Sequence, residues 1–100
     1  MKFDHIAVKS CDISRSVNWY VENLNAIVRY QDETWAVVET AGVKIAFVMP
    51  DKHPSHFSFE VTEEFISDKL QDKKFKSHRD GTSSCYIKDP DGNFIEFLKS

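Results

Sequence analysis

Two histidines and one glutamate stand where a divalent metal would find ligands. His5 lies in Phe3-Asp4-His5-Ile6-Ala7-Val8, and His56 lies 51 positions later in Ser55-His56-Phe57-Ser58-Phe59-Glu60-Val61. Each half of the chain closes on a matching phrase, Gly42-Val43-Lys44-Ile45-Ala46-Phe47 and Gly92-Asn93-Phe94-Ile95-Glu96-Phe97, with the glycines 50 positions apart. A near-constant offset marks two copies of one supersecondary unit. Ala46 and Glu96 occupy corresponding places, so the pattern supplies two imidazoles and one carboxylate. Such nitrogen and oxygen donors suit Fe, Mn, Ni or Zn. Either histidine alone reads as an ordinary half-buried strand residue. Their equivalence, together with Glu96, favours the metal. A carboxylate inside the apolar run from Phe94 to Leu98 is costly to desolvate unless paired or metal-bound. A rim position open to water is the alternative.

Strands must hold these residues. Positions 3–9 alternate, with Ile6 and Val8 on one face and Phe3, His5 and Ala7 on the other. Ser10 and Asp12 offer caps for a helix whose apolar residues are Ile13, Val17, Val21 and Leu24, closed by Asn23 and Asn25. Strands are predicted over 26–31, 34–40 and 43–49, with turns at Asp32-Glu33 and Ala41-Gly42. Residues 50–54 read as a linker. The order then repeats: a strand over 55–61, a helix over 62–71 with Phe65, Ile66 and Leu70 inward, and strands near 74–78, 82–88 and 93–99. Asp89-Pro90-Asp91-Gly92 suits a type I turn. The expectation is a single α+β domain of two βαβββ units, about 1–49 and 55–100. One helix per four strands covers one sheet face and leaves the other for a ligand or partner sheet. Alternation puts His5, His56 and Glu96 on that second face, with Ile6, Val8, Phe57, Phe59, Ile95 and Phe97 under the helices.

The bulk properties narrow the partners. At 100 residues, with 41% hydrophobic and 29% charged positions and a net charge of −3, the chain has the composition of one ordinary globular domain. Lys69, Lys73, Lys74, Lys76 and Arg79 are interrupted by Asp68, Asp72 and Asp80. That pattern reads as a solvated surface rather than a nucleic-acid site. No apolar run approaches the ~20 residues of a membrane span, and no targeting segment precedes His5. Cys11 and Cys85 are too few for a disulfide framework. A cytoplasmic protein with no membrane or nucleic-acid partner is expected.

The duplicated unit, the paired strand histidines, Ser16-Val17-Asn18-Trp19-Tyr20 and the ending from Asp89 to Phe97 together resemble the vicinal oxygen chelate superfamily. Its members include glyoxalase I, bleomycin-resistance proteins, methylmalonyl-CoA epimerase and extradiol dioxygenases. The resemblance implies two βαβββ units forming a cupped mixed sheet, helices on the outer face, and one divalent metal that chelates a substrate through neighbouring oxygens. It carries ligand places onto His5, Ala46, His56 and Glu96, of which Ala46 cannot bind. The remaining two-histidine, one-carboxylate set is the one extradiol enzymes use. His78, Cys85-Tyr86-Ile87-Lys88-Asp89-Pro90-Asp91-Gly92 and Glu96 are also similar to the extradiol signature, with Cys85 in place of an aliphatic residue. On that basis His78 and Tyr86 are candidate acid–base groups, with groups supporting the ligands or plain strand residues as the alternatives. Many short members are dimers, which implies a homodimer here.

Two functions follow. In one, a metalloenzyme of lyase, isomerase or dioxygenase type acts on a small oxygen-rich molecule. In the other, a metal-free binder of the bleomycin-resistance type traps a small compound, with Trp35 more important than the histidines. Val37 and Lys44 are further candidate lining residues, and Glu39 is a candidate fourth ligand.

Overall fold

The computed structural model describes residues 1–78 and 81–99. Arg79 and Asp80, part of the charge pattern above, lie outside the described residues. The elements are β1 (Lys2–Lys9), α1 (Ile13–Leu24), β2 (Ile27–Gln31), β3 (Trp35–Thr40), β4 (Val43–Val48), β5 (His56–Glu60), α2 (Glu63–Lys69), β6 (Lys76–Ser77), β7 (Ser83–Lys88) and β8 (Phe94–Lys99). The fold is therefore α+β, with strand–helix–three-strand order occurring twice. Contacts group the residues into two units, His5–His56 and a second made of Met1–Asp4 with Phe57 onward.

In the unit His5–His56 the strand order is β2-β3-β4-β1. β1 runs parallel to β4, with Ala7 opposite Ala46, while β2, β3 and β4 are antiparallel neighbours. Asp12 caps α1, its carboxylate accepting the Arg15 N–H at 3.1 Å. Asn25 closes the helix in the left-handed region at φ 53°. Ile13 and Val17 pack with Ala26, Ala36, Val38 and Phe47, and Val8, Tyr20 and Ile45 join them. The inward stripe thus runs Ile13, Val17, Tyr20. Val21 and Leu24, expected inward, are largely exposed, because the turn after Val17 brings Tyr20 against the Phe47 ring at 4.8 Å between centroids. The other face of this sheet carries Ala7, Val37, Ala46 and Val48 as a separate small cluster. His5 alternates onto the Ala7 side.

In the second unit the strand order is β5-β8-β7-β6. Thr62 caps α2 by accepting the Phe65 N–H at 3.1 Å. Phe65 and Ile66 sit against a core of Val61, Leu70, Cys85 and Phe97, with Phe59, Ile87 and Ile95 around it. Register sets Cys85 opposite Phe97 and Ile87 opposite Ile95 on that helix-covered side, so Tyr86 and Glu96, also opposite one another, share the far side. Phe57, expected beneath the helix, is 45% exposed instead. Phe59 and Val61 already fill the space next to α2. The Phe3 ring meets the Phe59 edge at 5.5 Å, which ties the chain's first residues to this unit. Asp89 organises the β7–β8 turn. Its backbone carbonyl accepts the Gly92 N–H at 3.1 Å, as a type I turn requires.

Candidate functional site

His5 and His56 meet within one unit, their ring centroids 5.7 Å apart and the rings edge-on. His56 opens β5 and is buried at 7% exposure. Its Nδ1 lies 2.8 Å from the Pro54 carbonyl oxygen. A carbonyl only accepts, so Nδ1 carries the proton and Nε2 keeps the lone pair available to a metal.

Glu96, at the middle of β8, is 8% exposed, and Ser58 on β5 is fully buried. The Ser58 hydroxyl donates to Glu96 Oε1 at 2.9 Å. The Tyr86 phenol also hydrogen-bonds Glu96. Burial first, and the Glu96 charge second, hold that phenol well above the usual tyrosine range. It stays protonated through neutral pH and donates. His56 and Ser58 are alternate residues of β5 and share one face, so one strand presents both an imidazole and the hydroxyl that secures the carboxylate. Glu96 thus takes the satisfied buried role of the two weighed from sequence, not the water-exposed rim.

The other candidates fall as follows. His78 Nε2 lies 2.8 Å from Ser84 Oγ, beside the start of β7. Ser84 alternates onto the Tyr86 side of that strand. Ala46 is buried at 4% with Ala7 beside it and supplies no donor. Glu39 shares the Ala46 side of β3 but is engaged by Arg29, Nε to Oε1 at 3.1 Å. Trp35 stacks at a tilt on Tyr30, centroids 4.6 Å apart. Both belong to the Val37–Ala46 face, but Trp35 stands four residues along β3 from Glu39, whose partner is Lys44. His5 is level with Lys44, one step before the Ile6–Ile45 pair. The indole is therefore about 13 Å along the strand direction from the His5 level.

Ser58 and the Pro54 carbonyl did not stand out in the sequence. The signal for Ser58 was present: a small polar residue at an alternate strand position between two phenylalanines, on the histidine side. The Pro54 carbonyl carries no side-chain signal at all.

Comparison with known proteins agrees with this architecture. A probable trivalent organoarsenical cleaving enzyme from Bacillus subtilis (strain 168) is 30% identical, the alignment covering 98% of this chain and 80% of the relative. Methylmalonyl-CoA epimerase from Mycobacterium tuberculosis has a similar fold, with a TM-score of 0.73 at 15% identity over 98% of this chain and 87% of that one. A glyoxalase/bleomycin resistance protein/dioxygenase superfamily member from Vibrio splendidus 12B01 gives a TM-score of 0.70 at 18% identity, covering 96% and 97% of the two chains. The family model of the Glyoxalase/Bleomycin resistance protein/Dioxygenase superfamily matches residues 2–97, and the chain belongs to that superfamily.

Proposed function

We propose that the protein is a divalent-metal-dependent enzyme acting on a small oxygen-rich molecule, with His5, His56 and Glu96 as the metal ligands. The observation that carries this reading is the Pro54 carbonyl on His56 Nδ1. A ligating histidine is typically oriented by a backbone carbonyl or carboxylate on its other nitrogen. The donor chemistry fits the group: two imidazoles and one carboxylate suit Fe, Mn, Ni or Zn and leave coordination positions open. A bound metal would supply Lewis-acid polarisation of two neighbouring substrate oxygens. Ser58 and Tyr86 hold the Glu96 carboxylate. Tyr86, kept protonated with its proton on Glu96, is not suited to acting as a base at neutral pH. His78 is the group assigned to proton transfer, steadied by Ser84.

The substrate named for the arsenical-cleaving relative fits less well. Trivalent arsenic seeks thiolates. Cys85 is buried on the α2 side, where burial pushes its thiol up, and Cys11 lies exposed before α1. An oxygen-donor substrate suits the residues better. No helix among the described residues is long and apolar enough to cross a membrane. The reading includes a cytoplasmic homodimer. Exposed Trp19, Leu24, Ile27 and Val28 support the pairing, and sedimentation at micromolar concentration tests it.

The decisive experiment is elemental analysis of protein purified anaerobically without chelator, beside His5→Ala, His56→Ala and Glu96→Ala. Near one metal per chain, lost in each variant, is expected. Full occupancy in all three would overturn the assignment. The exposed Tyr30–Trp35 stack favours a second reading, a metal-free binder of flat compounds. Because the stack is remote from the His5 level, binding there is indifferent to chelator and abolished by Trp35→Ala. Strict metal dependence of ligand binding eliminates this second reading.

A further inference from the structure

We infer that Ser58 is the positioning residue that fixes how Glu96 presents its carboxylate, a role that rests on the metal reading above. Ser58 is 0% exposed and sits between Phe57 and Phe59 in β5, where a strand core ordinarily takes an apolar residue. Its hydroxyl has one proton, and that proton goes to Glu96 Oε1 at 2.9 Å, both groups buried. Burial strengthens this bond and makes its loss costly. With Oε1 held by Ser58 and the Tyr86 phenol also on the carboxylate, Glu96 cannot rotate freely. The outcome is a carboxylate presented in a set direction.

The repeat supplies independent support. The residue 51 positions before Ser58 is Ala7, as His5 is 51 before His56. Ala7 lies opposite Ala46 in register, and both are buried. In the copy that has Ala46 at the place of Glu96, the place of Ser58 is Ala7, which has no hydroxyl. Where the carboxylate is kept, the hydroxyl is kept and bonded.

The test is chelator competition for Zn²⁺ and Co²⁺ with the full chain, wild type beside Ser58→Ala, Ser58→Thr, Ser58→Cys and His56→Ala, with thermal melts of each metal-free form. The expected result is roughly 10–100-fold weaker metal binding in Ser58→Ala, altered Co²⁺ ligand-field bands, and recovery in Ser58→Thr, which keeps the hydroxyl. Wild-type affinity in Ser58→Ala, with binding lost in His56→Ala, overturns this inference and leaves the metal site standing. A wild type that takes up no metal removes both. If Ser58→Ala does not fold, Ser58→Thr and Ser58→Cys decide, since the two differ in donor strength. Equal affinities in them overturn the inference.

Discussion

At the scale of single residues, the proposed ligand set is defined as much by what one copy lacks as by what the other has. Ala46 is 4% exposed, packed with Ala7, Val48 and Val37, at the place that corresponds to Glu96. Ala46→Glu puts a carboxylate into an apolar cluster, so the metal-free protein loses about 2 kcal/mol or more. If the position faces the metal, saturating Zn²⁺ recovers part of that loss by linkage. Urea denaturation with and without Zn²⁺ measures both quantities. Equal destabilisation in the two conditions means that Ala46 is not a ligand place. The correspondence of Ala46 to Glu96 is read from their matching offsets in the two copies. Ser58 and Pro54 were not legible as partners. A hydroxyl and a backbone carbonyl are common in strands and loops, and only the folded register brings Ser58 to Glu96.

At the scale of elements, alternation and capping chemistry located every strand and helix to within a few residues. The misjudged side chains were those whose inward or outward position depends on neighbours. Period 3.6 accommodates either Tyr20 or Val21 as the residue after Val17, and the Phe47 ring selects Tyr20. The turns carry clearer predictions. Ala41 and Gly42 both have positive φ, 52° and 75°, and join the flanking Thr40–Val43 pair of β3 and β4, the arrangement of a type I′ hairpin turn. Alanine is strained in that conformation, whereas Asn-Gly is its preferred sequence. Ala41→Asn therefore raises stability by roughly 0.5–1 kcal/mol in urea titrations, and a lower midpoint contradicts the turn assignment. At the other hairpin, Asp89 Oδ1 accepts the Asp91 and Asn93 N–H groups at 2.9 and 2.8 Å, and Oδ2 accepts from the Asn93 side chain. The Asn93 side chain first, and its backbone N–H next, hold the Asp89 carboxyl below its ordinary value. A depressed folded-state pKa gives stability that is present above about pH 4, the unfolded value, and is lost as pH falls through the lower folded one. Asp89→Ala should flatten this part of the acid-unfolding curve and lower the midpoint at pH 7. An unchanged acid limb would show that the turn does not depend on the carboxylate charge.

At the scale of the whole molecule, the duplication is visible in the sequence, but the boundary between folded units does not follow it. The repeat divides the chain near residues 50–54, whereas contacts place Met1–Asp4 with Phe57 onward. The Phe3 ring lies edge-on to Phe59 at 5.5 Å within this grouping, a contact between residues far apart in sequence that no short window reports. The second unit is therefore discontinuous in sequence, and residues 55–100 alone lack the Phe3 contact. A piece of that size is also near the limit at which one small core offsets chain entropy. Among the described residues its hydrophobic core is correspondingly modest, the buried Val61, Leu70, Cys85 and Phe97 beneath a helix of 7 residues. The fragment 55–100 should then give a poorly dispersed amide spectrum and a broad, non-cooperative melt, whereas the intact chain unfolds cooperatively. A dispersed spectrum from the fragment would show that the second copy carries enough core to fold by itself. Phe3→Ala in the intact chain would in that case cost little. If the fragment is unfolded, the same substitution should lower the melting temperature of the full protein, because it removes the Phe3–Phe59 ring contact.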